Sequence, residues 1–218
     1  QPERVTGGYD IKGSINRELP IQGDIKQFLN MSDFSVVAGA SNIPIEVRES
    51  EGENNTFKTS KLVSLQDDFF ETTQWRMAHF DPEYGSTDKD IWRKLIENPN
   101  LVVANASVIP SGDPFGPPDR SFKTSYLSAG DPIEFGAFGV EIKERKTVVE
   151  PSRLTVIGIV ERLASGTGWG ADSATFYSSR VLATELVNEN IPLDTFYFSL
   201  RNKDNVSNYA QKLEKIFL

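Results

Sequence analysis

The sequence predicts an α+β fold of two lobes, one assembled from both chain ends and the other inserted between them. Three observations predict it. Each chain end combines a strand pattern with a helix pattern, and the last helix is strongly periodic. Between the ends runs a long, β-rich middle with fewer helices. At 218 residues, 38% hydrophobic and 25% charged, the chain is long enough for each lobe to bury a core. Ends alike in type and separated by a different middle are most simply packed against each other.

The first strand pattern lies in VTGGYDIKGSI, whose Gly7-Gly8 pair permits a bulge or a close backbone approach. A short helix is expected from Ile25, with Asp24 as N-cap and Ile25, Phe28 and Leu29 at helical spacing. Two strands follow. FSVVAGA is apolar, and Ile43, Ile45 and Val47 alternate with Pro44, Glu46 and Arg48. A charged turn at 49–56 leads to a further strand at 57–65.

The stretch 67–110 holds Trp75 and Trp92, a turn at 81–86 and a helix. Thr87 and Asp90 form a capping-box pair, with Asp in place of the usual Glu or Gln. Ile91, Trp92, Leu95 and Ile96 make the apolar stripe of that helix. LVVANASVI (101–109) reads as a buried strand.

Residues 110–131 are loop-rich, with four of the 12 prolines between Pro110 and Pro118. Strands are expected at 132–142 and at 153–163, the latter nearly continuous in Leu154, Val156, Ile157, Ile159 and Val160 and so central. A glycine-rich loop (165–173) precedes a short strand, ATFYSS. The helix at 179–190 should turn Val181, Leu182, Leu186 and Val187 inward. TFYFSL (195–200) is a strand with aromatic alternation. The last helix carries Val206, Tyr209, Ala210, Leu213, Ile216 and Phe217 on one face.

Charge and composition exclude several functions. A formal net charge of −8 opposes binding to nucleic acid and to anionic lipid. No cysteine is present, so disulfides, thiolate metal sites and thiol nucleophiles are excluded together. No apolar run of about 18 residues is present, and no signal peptide is visible. An amphipathic helix that stops without a C-cap at Phe217-Leu218 leads us to expect that the natural chain continues.

No catalytic, cofactor-binding or metal-ligating set emerges. His79, the single histidine, has Asp81 two residues away, but no GxSxG-type nucleophile turn accompanies it, and a surface role fits it better. Glu71, Asp81, Glu83, Asp88 and Asp90 cluster in sequence, as two carboxylates of a glycosidase would. They lack the spacing of a calcium loop, and a solvated acidic face explains them. SGTGWG follows a strong strand, but no helix begins after it and no Lys-Ser/Thr pair completes a phosphate loop. Its Trp169 is the residue best suited to contact a partner. Asn30, Asn54, Asn105 and Asn205 match N-x-[ST], a pattern common by chance.

The chain resembles the extracytoplasmic domain of FtsX-like/MacB-like ABC transporter permeases. The resemblance rests on VTGGYDIKGSINRELPI, on the run from DDFFETTQW to NASV, on RLTVIGIVERL and on TFYFSLRNKDNVSNYAQKLEKIFL. It implies the two-lobed fold of a MacB-like periplasmic core domain. Residues 1–62 and 190–218 would form a membrane-proximal, porter-like lobe, and residues 63–189 an inserted, β-rich, sabre-like lobe. It implies a domain on the extracytoplasmic face, tethered by flanking transmembrane helices, with no catalytic activity or cofactor of its own. Its partners would be a cytoplasmic ABC ATPase acting through the rest of the permease, a second permease copy, and an extracytoplasmic cargo or adaptor protein. ATP-driven motion would reach the domain by mechanotransmission or serve export. Two alternatives remain from the residues alone: an extracytoplasmic carboxylate-dependent hydrolase, and a free-standing binding protein.

Overall fold

A computed structural model describes residues 6–15, 25–51, 56–110, 121–127, 135–146, 150–161, 173–187 and 191–217. Its longest element is β2 (Phe34–Glu49), and the rest of the sheet is built along it. The sequence pattern there, apolar FSVVAGA followed by alternating IPIEV, is that of two expected strands. They are one strand of 16 residues. Pro44 does not interrupt it: it pairs with Lys61 on one side, and its carbonyl accepts from Arg145 N (3.2 Å) on the other.

Strand β2 changes neighbour along its length. Its first half pairs with β9 (Thr195–Leu200), as in Ala38↔Tyr197. Its second half pairs on that same edge with β6 (Phe138–Glu144), as in Val47↔Ile142. The opposite edge carries β3 (Lys58–Leu65) from Ala40 to Val47. Beyond β3 come β8 (Thr175–Ser179), β5 (Leu101–Asn105) and β7 (Ser152–Val160). β7 then pairs with β6 and closes a six-stranded ring, β2-β3-β8-β5-β7-β6.

Period-two patterning explains why the ring closes around a core. Ile43, Ile45 and Val47 of β2, Val102 and Ala104 of β5, Phe176 of β8, and Val140 and Ile142 of β6 belong to one buried cluster. In β7 the extra residue Ile157 forms a bulge, because Val102 pairs with Val156 but Val103 with Gly158. The bulge shifts the alternation, so Ile159 joins the barrel cluster while Ile157 and Val160 belong to a second one. Helix α3 (Arg180–Val187) adds Leu182, Ala183 and Leu186 to the barrel core. Val181, expected inward, is 53% exposed, because it lies one position off that stripe. Glu49 is buried at the end of β2. It accepts from Thr124 Oγ1 (2.9 Å), Ser125 N and Ser125 Oγ (2.6 Å), which ties 121–127 to the barrel.

The two chain ends meet beside the ring. β1 (Ile11–Ser14) pairs antiparallel with β9, and β9 with the first half of β2. Helix α4 (Val206–Phe217) lies against this sheet, with Leu213 buried among Ile11, Phe34, Phe196 and Phe198. The helix expected from Ile25 is only a single 3-10 turn, Ile25–Phe28. Ile25 is its one buried residue and Phe28 is 54% exposed, so burial supplies too little to extend it. Asp24 lies outside the described residues. The lobe boundary expected at residue 62 falls within β3, where Leu62 enters the barrel core and Val63 faces the other way.

The second cluster, that of Ile157 and Val160, covers part of the outer face of the ring. It is roofed by α1 (Asp67–Thr72) and α2 (Asp88–Glu97), and flanked by β4 (Met77–Phe80), which pairs with β7. The capping box is present as expected: Thr87 Oγ1 accepts from Asp90 N (3.2 Å) and Asp90 Oδ2 from Thr87 N (2.9 Å). Ile91, Trp92 and Leu95 are buried, whereas Ile96 is exposed. The residues before β1 reach this cluster through Gly7 and Gly8, whose φ values of 75° and 88° disfavour side chains. A Cβ on Gly8 would meet the Gln74 side chain at 2.4 Å. That close turn delivers Tyr9 onto Phe69 and Tyr197.

Candidate functional site

One sheet face carries both the aromatic roof and the site. Ala40, Val63, Val103, Tyr177 and Tyr197 lie in the roofed cluster. One period-two step along each of the same strands lie Asn42, Lys61, Asn105, Thr175 and Thr195. These polar residues line an open cleft of about 420 Å³, with Lys12 and Ser14 of β1 on one side. A second hollow of about 390 Å³ adjoins it and shares Ser14, Asn42, Lys61 and Thr195. Both volumes fall in the range of small-molecule sites.

The floor of the cleft is fixed by hydrogen bonds. Asn42 Nδ2 donates to Asp194 Oδ1 (2.6 Å) and to Thr195 Oγ1 (3.0 Å), and Asn42 N donates to Asp194 Oδ2 (3.0 Å). Asn105 Oδ1 accepts from Thr175 N (3.0 Å), and its Nδ2 donates to Ser173 O (3.4 Å). These bonds use the amides to hold strand ends together, so their orientation is set before any ligand arrives.

The electrostatics centre on two lysines. Desolvation in the cleft, followed by the nearby charge of Lys61, pulls the Lys12 ammonium below the ordinary lysine range. The Lys12 Nζ lies 5.6 Å from the centroid of the Tyr197 ring. Burial, and then the neighbouring Tyr177 and Tyr9, push the Tyr197 phenol well above its ordinary value, so it remains a neutral hydroxyl. Trp75 lines the same cleft, is 6% exposed, and has an Nε1 with no hydrogen-bond partner among the described residues. Glu161 is the carboxylate among the residues that line the larger cleft.

The residues singled out from the sequence lie elsewhere or serve the fold. Trp169 lies outside the described residues, as do Asn54 and the prolines of 111–120. His79, on β4, stacks on Phe135 at 6.4 Å between centroids. Glu71 takes a two-point contact from Arg93 (2.9 and 2.8 Å), joining α1 to α2, and that pairing holds its carboxyl below the usual range. Asp81 closes the 81–84 turn on Glu83 N (2.9 Å) and also accepts from Ala137 N (2.9 Å). Asp90 belongs to the capping box, whose hydrogen bonds lower its pKa. Among the described residues, no three acidic or histidine side chains converge as metal ligands would. Trp75 and Trp92 are core aromatics, and the Trp92 indole N–H donates to Trp75 O (3.2 Å).

Sequence reasoning passed over Lys12, Asn42, Lys61 and Asn105. Each is an ordinary polar residue of an alternating strand. The one available signal was their shared outer-face parity, which has meaning only once strand order is known.

No known family profile and no curated protein sequence matches this chain. Solved structures do. The chain is similar to the periplasmic region of MacB from Actinobacillus actinomycetemcomitans, with a TM-score of 0.53 at 12% identity, over 99% of this chain and 86% of that one. It is also similar to the extracellular domain of the noncanonic ABC-type transporter YknZ from Gram-positive bacteria. There the TM-score is 0.49 at 10% identity, over 90% and 86% of the two chains. The MacB region and this chain share a mixed α+β fold, here a barrel with extra strands and helices.

Proposed function

We propose that this chain is the extracytoplasmic domain of an ABC transporter permease, a module that binds cargo or a partner protein and transmits ATP-driven motion. The observation that carries the reading is the likeness in fold to the MacB periplasmic region, which extends over nearly the whole chain. The pairing of β1 with β9 supports it, because a domain inserted between two membrane segments must bring its two ends together. Among the described residues no helix is long and apolar enough to cross a membrane.

In this reading the lobe of residues 1–62 and 190–218 lies next to the membrane, with β3 crossing from it into the inserted lobe, 63–189, and β2 pairing with β6 of that lobe. The domain is tethered by flanking transmembrane helices. ATP is hydrolysed by a separate cytoplasmic subunit, and a second permease copy stands beside the first. Of the clustered carboxylates, Asp81 is engaged in a turn, Asp90 in a helix cap and Glu71 in an inter-helix ion pair.

The test is the complete gene together with purification of its product from membranes. The expected result is an apolar segment of about 20 residues on each side of this domain and co-purification of an ABC ATPase. A cleavable signal peptide followed by a stop codon directly after the domain would overturn the reading.

A further inference from the structure

The open cleft has a charge arrangement that the fold does not require. Lys12 and Lys61 line it from β1 and β3, strands separated in the sheet by β9 and β2. After burial, the charge of Lys61 adds to the cost of charging Lys12. Among the described residues no carboxylate forms an ion pair with either, although the chain carries a net charge of −8. The acidic groups nearby are otherwise placed. Asp194 accepts from Asn42 and Thr195, and Glu161, which lines the same cleft, is ion-paired to neither lysine among the described residues. Two ammonium groups facing one cavity lose their mutual repulsion when an anion enters between them.

The remaining walls define what the anion is attached to. Trp75, Tyr177 and Tyr197 supply aromatic surface. The Trp75 indole N–H has no acceptor among the described residues and packs against Gly7, where an added Cβ would lie 3.2 Å from Nε1, so it is the ring rather than the N–H that serves the cleft. Lysine presents a point charge without the two-point fork of arginine, so the pair suits a compact phosphate or carboxylate rather than a specific planar one.

We propose that this cleft binds a small ligand with one anionic group, phosphate or carboxylate, carried on an aromatic or apolar body. Lys12 and Lys61 hold the anion, the amides of Asn42 and Asn105 form a preset polar floor, and the Trp75, Tyr177 and Tyr197 rings take the body. The proposal depends on the cleft alone and stands apart from the domain's placement beside a transporter.

The experiment is a titration of the full 218-residue chain, followed by side-chain amide and indole N–H resonances. The probes are phenyl phosphate, inorganic phosphate, benzyl alcohol as the neutral analogue, and vesicles of phosphatidylglycerol. Phenyl phosphate is expected to move the Trp75 indole signal and the Asn42 and Asn105 amide signals. It should bind at least about tenfold more tightly than benzyl alcohol, one charge-assisted contact's difference. The doubly substituted Lys12→Met, Lys61→Met chain should lose at least about tenfold in phenyl phosphate affinity while keeping its cooperative melt; Lys61→Met alone should show part of that loss.

Shifts of the same residues with inorganic phosphate alone identify a free anion as the ligand group, and shifts with vesicles identify a lipid headgroup; either upholds the site. Equal affinity for phenyl phosphate and benzyl alcohol overturns the proposal without any variant. So do shifts confined to residues outside the cleft, or an undiminished affinity in the folded double variant.

Discussion

The outer face of the ring is one surface with two halves, and the same strands build both. In the roofed half, Val63, Val103, Tyr177 and Tyr197 lie beneath α1 and α2 in an aromatic cluster in which Phe69 contacts Tyr9, Phe70, Trp75, Trp92 and Tyr197. In the open half, the same strands present Lys61, Asn105, Thr175 and Thr195 to solvent or to each other. A single period-two step separates a core position from a cleft position on each strand. Backbone geometry is therefore common to both halves, and what differs is whether a helix pair covers the residues. The roofed half holds the fold together by burial; the open half is free to carry polar groups chosen for something else.

That contrast breaks most directly at Trp92. Its ring is 1% exposed and contacts Phe69, Phe70, Trp75 and Tyr177. Trp92→Ala removes that packing and leaves the Trp75 carbonyl without its indole donor. Truncation of a buried tryptophan costs about 3–5 kcal/mol. Chemical denaturation of the variant should show that loss as a lower midpoint. A loss below about 1 kcal/mol would mean that α2 contributes little to the roof and that the two halves are alike.

The tyrosines sharpen the comparison through pH. Burial holds both the Tyr9 and Tyr197 phenols well above the ordinary value, even though the Thr72 hydroxyl, 2.7 Å from the Tyr9 hydroxyl, lowers Tyr9 somewhat. A group whose folded pKa is raised contributes stability that is complete below its unfolded pKa, about 10 for a phenol, and is lost as pH rises through the folded value. Above about pH 10 the unfolded chain releases these protons and the folded chain does not. Each phenol then removes roughly 1.4 kcal/mol of stability per pH unit. Unfolding free energies should be free of this contribution from about pH 8 to pH 10 and fall along this slope above about pH 10, and the double variant Tyr9→Phe, Tyr197→Phe should flatten the fall. An unchanged slope in that variant would show that neither phenol is withheld from water.

The roofed half was far more legible in the sequence than the open one. Thr87 and Asp90 announce the start of α2 because a capping box is local: four consecutive residues contain all its hydrogen bonds. The buried character of β7 and β9 shows in nearly continuous apolar or aromatic runs. β2 was harder to read, because the alternation that begins at Ile43 suggests a new strand where the old one merely leaves β9 for β6. Ring closure is a property of pairing between distant residues, and no local pattern encodes it. The cleft was the least legible part. Lys12, Asn42, Lys61 and Asn105 each look like the wet side of an alternating strand, and only the strand order gathers them around one cavity. Glu71, Asp81 and Asp90 drew attention by crowding in sequence, yet helix ends and turns account for each.

The smallest expected effect lies in the open half and is the counterpart of Trp92→Ala. Lys12 is exposed, and its surroundings depress its pKa, so the fold disfavours its charged form. For a lysine the sign is the reverse of that for the phenols. The penalty is complete below the lowered folded pKa and disappears as pH rises towards the unfolded value of about 10.4. Lys12→Met should therefore leave stability at neutral pH unchanged or slightly raised, within the roughly 0.5 kcal/mol typical of surface substitutions. Any gain should fade as the pH approaches the ordinary lysine range. Denaturation midpoints at neutral and alkaline pH check both points. A loss of more than about 1 kcal/mol at neutral pH would mean that Lys12 supports the fold through contacts the open half lacks here. The division of this face into a half that holds the fold and a half free for a ligand would then fail.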